Sequence, residues 1–187
     1  SSTTTSSTST TSTSTTGTTT TATTLTLING GNANFAADVT ASTNFEVTTG
    51  ATTITFDGAV DQLVTGVISA DAAARANVTN SNGTGIVTFA NDIGELAGSL
   101  SAATVTLATA SQSVFNGKIY AGALTTVGSA KMTFDDTVTL SGALTTTDTA
   151  TMTLGKAFVA GTTVIAAAGN SEATLDQTAN AVTVRSE

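Results

Sequence analysis

The chain has 187 residues, with 5 Lys+Arg against 13 Asp+Glu, one Tyr, and no His, Cys, Pro or Trp. Without His or Cys there is no imidazole base, no thiolate nucleophile, and no zinc, haem or iron–sulfur site of the usual ligand types. A net charge of -8 argues against nucleic-acid partners, which need a Lys/Arg surplus to neutralise phosphates.

Residues Ser1 to Thr24 contain only Ser, Thr, Gly17 and Ala22. Such a tract buries too little apolar surface to offset its own ordering entropy, which suits a linker or a glycosylated stalk. Thr also favours strands, so the tract reads equally as an arm that lies extended along the edge of another chain. We divide the sequence into this arm, 1–24, and a single β-rich repeat domain, 25–187.

From Leu25 onward, apolar-Thr-apolar triplets recur. They are Leu25-Thr26-Leu27, Ile54-Thr55-Phe56, Val87-Thr88-Phe89, Val105-Thr106-Leu107, Met132-Thr133-Phe134, Met152-Thr153-Leu154 and Val182-Thr183-Val184. Phe45-Glu46-Val47 is a looser member. A period of two puts two apolar side chains on one face and the Thr on the other. Between triplets the string Gly-Ala-Leu-Thr-Thr occurs at Gly122 to Thr126 and again at Gly142 to Thr146, with a related Ala97-Gly98-Ser99-Leu100 before them. The repeat is imperfect, with a period in the range of solenoid rungs. Ser69 to Asn77 breaks it, and its Ala-rich run predicts a short helix or turn, with Ser69 as the N-cap of a helix. Turns must be made without Pro, at Asn29-Gly30-Gly31, Asp57-Gly58, Asn82-Gly83, Asn116-Gly117 and Gly169-Asn170.

Many short β-branched strands between Gly/Asn turns predict an all-β protein. The repeat favours a β-solenoid, in which equivalent rungs stack and like side chains lie above like. A β-sandwich with an N-terminal donor strand is the alternative. No run of about 18 apolar residues is present, so no transmembrane helix is expected.

The repeats Ile54-Thr55-Phe56-Asp57-Gly58-Ala59-Val60 and Met132-Thr133-Phe134 through Ala143-Leu144-Thr145 resemble those of bacterial autotransporter passenger domains and of surface-layer or adhesin proteins. The resemblance covers roughly Thr48 to Leu154. It implies an extracellular, β-rich structural protein, secreted or held at the cell surface.

No catalytic constellation emerges, and the chain reads as a non-enzyme with no cofactor. A Ser–Lys pair through Lys118, Lys131 or Lys156 has no motif around it. Asp135 and Asp136 are adjacent and would point to opposite faces of a strand, which does not suit a glycosidase pair. Calcium is the ion that Asp57, Asp135 and Asp136 would suit, together with Asp61 and Asp92, because it takes hard oxygen ligands at turns. The plainer reading is that these acids solvate turns. Two glycosylation sequons occur, at Asn77-Val78-Thr79 and Asn82-Gly83-Thr84. An ice-binding surface would need a regular Thr-x-Thr ladder on one face, and the apolar-Thr-apolar order and uneven spacing of the triplets argue against one. Phe56, Phe89 and Phe134 are read as core.

Open strand edges would suit self-association into a homo-polymer, a filament or surface layer joined by strand addition. The assembly candidates are Thr18, Thr19, Thr20, Thr21 and Thr23 of the arm, Leu25 and Leu27 of the first strand, and Val182 and Val184 of the last. The second reading is an adhesin module that binds a glycan or cell surface, with Tyr120, Asp135 and Asp136 as its candidate cluster.

Overall fold

The structure, a computed structural model, describes residues 2–3, 13–15, 19–28, 32–48, 52–70, 76–94, 102–107, 111–146, 151–154, 158–165, 174–177 and 182–184. Among them the regular elements are all strands: β1 Ser2–Thr3, β2 Thr13–Thr15, β3 Thr20–Ile28, β4 Asn32–Phe35, β5 Val39–Thr48, β6 Thr52–Phe56, β7 Gln62–Thr65, β8 Ile68–Ala70, β9 Ala76–Asn80 and β10 Ile86–Phe89. They continue as β11 Ala102–Leu107, β12 Gln112–Phe115, β13 Ile119–Thr126, β14 Lys131–Phe134, β15 Val138–Thr146, β16 Thr151–Leu154, β17 Phe158–Ile165, β18 Thr174–Gln177 and β19 Val182–Val184.

Every pairing among these strands is parallel, which makes the molecule a β-solenoid. A sandwich built from antiparallel hairpins is thereby excluded. The strands fall on two hydrogen-bonded paths, β1-β3-β5-β7-β10-β12-β14-β16-β18 with β8 beside β5, and β19-β17-β15-β13-β11-β9-β6-β4-β2. The chain therefore alternates between the paths as it coils. Bridges Ile68↔Ile93 and Ile93↔Ile119 join the two paths.

Read through the registers, each coil has three sides. On the first, Val39, Val64, Phe89, Phe115 and Phe134 stand above one another. On the second, Leu25, Phe45, Ile68, Ile93, Ile119 and Val138 do so. On the third, Ala33, Ile54, Val78, Val105 and Leu124 form one column, and Phe35, Phe56, Asn80, Leu107 and Thr126 form another. Where they are described, the side chains in these columns are buried.

The core is an aromatic stack that changes sides. Phe35 stacks on Phe56 with ring centroids 5.8 Å apart, Phe56 meets Phe89 edge to face at 5.2 Å, and Phe89, Phe115 and Phe134 stack at 4.9 and 5.0 Å. Phe45 closes the chain of rings edge-on to Phe35 at 5.8 Å. The aromatic column leaves the third side where Asn80 takes the next register position after Phe56, and it resumes on the first side at Phe89.

Three expectations change in detail. The triplets are strands, but they are not equivalent layers. Ile54-Thr55-Phe56 and Val105-Thr106-Leu107 belong to the third side, Val87-Thr88-Phe89 and Met132-Thr133-Phe134 to the first, and Leu25-Thr26-Leu27 to the second. The helix expected over 69–77 does not hold at its ends. Ser69 and Ala70 lie in β8 and Ala76 and Asn77 in β9, while 71–75 fall outside the described residues. Finally, β3 runs across the boundary expected between residues 24 and 25, and β1 and β2 pair with β3 and β4 of the same chain.

Candidate functional site

Two features stand out once the coils are in register: a buried polar corner and an uncharged hydroxyl face. The corner lies where the third side turns into the first. Asn82 is fully buried there. Its Nδ2 donates to Val60 O at 2.7 Å and to Gln62 Oε1 at 3.3 Å, and its Oδ1 accepts from Gly85 N at 2.7 Å and Thr84 N at 3.2 Å. One coil away, Gln62 Nε2 donates to Phe35 O at 2.9 Å and Ala37 O at 3.0 Å, while its Oε1 accepts from Gly58 N at 3.0 Å. In the other direction, Asn80 Oδ1 accepts from Asn82 N, and Asn80 Nδ2 donates to Ser113 Oγ at 2.7 Å and Gln112 O at 2.8 Å. Ser111 Oγ donates to Asn80 O at 3.0 Å.

These bonds thread through successive coils as one internal network. Both polar ends of Gln62, Asn80 and Asn82 are engaged, so the network holds no spare group to offer a ligand. Its work is structural: a coil slipped by one residue would bury these amides without partners. The sequon at Asn82 is closed for the same reason, whereas Asn77 is half-exposed on the outside of the third side.

The turn acids also tie coils together. Asp38 Oδ1 accepts from Leu63 N at 2.8 Å, Asp61 Oδ1 from Ile86 N at 2.9 Å and Asp92 Oδ1 from Lys118 N at 2.7 Å. Donor and acceptor in these bonds are 25 or 26 residues apart, one coil in each case. Asn91 Oδ1 takes Gly66 N of the preceding coil. Of the calcium candidates, Asp57 sits at the corner between third and first sides. Asp135 and Asp136 sit at the corner between first and second, where Asp136 Oδ1 accepts from Thr137 N at 2.7 Å. The fold keeps Asp57 apart from the other two, and among the described residues no three acids come together around one point.

The hydroxyl face is the outside of the third side. Asn34, Thr55, Thr79, Thr106, Thr125 and Thr145 occupy one column of register positions, and Asn32, Thr53, Asn77, Thr104 and Ala123 the column beside it. Thr53, Thr55, Asn77, Thr79 and Thr125 are half-exposed, back to back with buried Ile54, Val78 and Leu124. Neither column contains a charged residue. The described charges lie elsewhere: Asp38, Asp57, Asp61, Asp92, Lys118, Asp135 and Asp136 at corners, Glu46 on the second side, and Lys131 and Asp176 on the first. Uneven triplet spacing thus does not keep outward positions from lining up, although Thr fills both columns only in β6 and β11, with Asn32, Asn34, Asn77 and Ala123 in the other rungs. The extra residues of longer coils fall between strands, so unequal coils still bring equal positions into line.

The first side carries a shallow hollow of about 200 Å³ lined in part by Ile86, Gln112, Val114 and Lys131. Exposed Leu63 shares a register column with Thr88 and Val114, and exposed Val60 sits at the corner before β7. Tyr120 is half-buried, with Thr139 beside it in register; Asp135 is exposed and Asp136 half-exposed at the corner before β15. Among the assembly candidates, Thr19 and Thr21 are exposed, Thr20 and Thr23 lie in β3, and Thr18 falls outside the described residues. Leu25 and Leu27 are buried in the core. Val182 and Val184 lie in β19, beside Phe158 and Ala160. No helix among the described residues is long and apolar enough to cross a membrane.

Comparison with protein-family models, with curated proteins and with solved structures gives no match to this chain.

Proposed function

We propose that this protein is an extracellular structural subunit that self-assembles into a filament or surface layer by stacking solenoid ends. The observation that supports this most is the uniform parallel ladder. In such a ladder one end presents the edge that the other end lacks, so copies meet head to tail and the contact does not close on itself. On one path β2 and β19 are the outermost described strands, and on the other β1 and β18. Strand addition at such edges contributes about 0.5–1.5 kcal/mol net per hydrogen bond. The likeness of the Thr-rich repeats to autotransporter and surface-layer repeats fits the same reading, as does a sequence in which 10% of residues are charged.

Negative-stain microscopy of the purified full chain tests it. The expected result is filaments or sheets whose length grows with protein concentration. Val182→Pro with Val184→Pro removes donors from β19 and should shorten them. Solitary particles at every concentration would overturn the proposal.

A further inference from the structure

We infer that the outside of the third side binds the surface of ice. The inference stands apart from the assembly proposal, since it concerns a lateral face and not the ends of the stack. Neighbouring coils place equivalent residues about 4.8 Å apart, and alternate residues along a strand lie about 6.6–6.8 Å apart. The two columns led by Asn32 and Asn34 thus form a two-dimensional lattice of register positions, in which Thr53, Thr55, Thr79 and Thr125 present half-exposed hydroxyls among Asn32, Asn34, Asn77 and Ala123. Its repeats lie close to those between water oxygens on the faces of hexagonal ice.

The chemistry of the lattice suits ordered water. Thr offers one hydroxyl that both donates and accepts, beside a methyl that does neither. Its branched side chain has few rotamers, so the array is stiff before water meets it. Among the described side chains, no hydrogen bond within the protein takes up the hydroxyls of Thr53, Thr55, Thr79 or Thr125. The platform beneath is close-packed on Ile54, Val78 and Leu124, and the polar corner next to it fixes the register.

Charge placement is the independent observation. A chain of net charge -8 keeps both columns free of charged residues. Ions organise water around themselves and would break a lattice match, whereas an anionic or cationic partner would call for charge on the face that meets it. An uncharged crystalline glycan is the other candidate for such a face. Sugar recognition, however, uses aromatic platforms, and the only Tyr, Tyr120, lies on the second side.

Ice-affinity partition of the full chain, with single-crystal ice microscopy, decides it. The parent protein is expected to concentrate into slowly grown ice and to facet the crystals. Thr79→Tyr, alone and with Thr55→Tyr, should abolish both effects, and Thr79→Ser, which deletes only the methyl, should weaken them. Thr88→Tyr on the first side should leave them intact. Matching far-ultraviolet spectra and unfolding midpoints establish that the variants fold. Exclusion of the parent from ice overturns the inference, as does retention of activity in the folded Thr79→Tyr/Thr55→Tyr variant. If the parent is excluded from ice but adsorbs to crystalline cellulose or chitin through Thr79, the face belongs to a glycan. If instead it forms lateral pairs that Thr79→Tyr breaks, the face belongs to a second copy. Either outcome counts against ice.

Discussion

Asn82 is the residue on which the polar corner turns. Replacing it with Ala removes the partner of Val60 O and leaves the N–H groups of Thr84 and Gly85 without their acceptor. Of these groups the Gly85 N–H is buried, and a buried group stranded in this way costs about 1–3 kcal/mol, to which the lost bonds to Val60, Thr84 and Gln62 add. We therefore expect Asn82→Ala to lower stability by about 2–4 kcal/mol, read from the shift in a urea midpoint; a loss below about 0.5 kcal/mol, ordinary for a surface change, would mean the corner is not built as described. Phe115 makes the complementary test. It stacks between Phe89 and Phe134 and is 1% exposed. Phe115→Ala should cost about 3–5 kcal/mol, the usual range for emptying an aromatic site in a core.

At the scale of elements, close approach between coils decides which glycines matter. A Cβ on Gly85 would lie 2.3 Å from Val60 C, and one on Gly117 2.4 Å from Asn91 C, so neither corner can accept a side chain without moving backbone. Gly83 faces open space. Gly85→Ala and Gly117→Ala should each lower the thermal midpoint clearly, while Gly83→Ala should change stability by less than about 0.5 kcal/mol. Equal effects at Gly83 and Gly85 would contradict the tight corner. The strands themselves were legible in the sequence, because Ile54-Thr55-Phe56 and its relatives carry the period of two in plain view. Their assignment to sides was not, because Val87-Thr88-Phe89 and Ile54-Thr55-Phe56 look alike locally and differ only in which coil partner they meet. The hydroxyl columns were hidden for the same reason, since residues between strands vary in number from coil to coil. Asn82-Gly83 read as a turn and a sequon, and only the neighbouring coil's Gln62 reveals the amide as an internal anchor.

For the molecule as a whole, stability and association both follow from stacking. Each coil touches only its neighbours, as in other quasi-one-dimensional proteins. If copies stack end to end, a charge of -8 on each opposes their meeting. Added salt shortens the range of that repulsion, so assembly should begin at lower protein concentration in high salt than in low salt, as followed by light scattering. Inhibition of assembly by salt would point to joints made by ion pairs instead of strand edges. The register that brings unequal coils into line underlies both the stacking of copies and the lateral face, and the absence of Cys from the sequence gives a clean background for testing it. The decisive measurement uses a short reagent that bridges two thiols only at close range, applied to paired Cys substitutions. Thr55→Cys with Thr79→Cys, neighbours in the third-side column, should bridge rapidly in the folded monomer, and Thr55→Cys with Thr88→Cys, on different sides, should not. Bridging of the second pair in preference to the first would contradict the solenoid register.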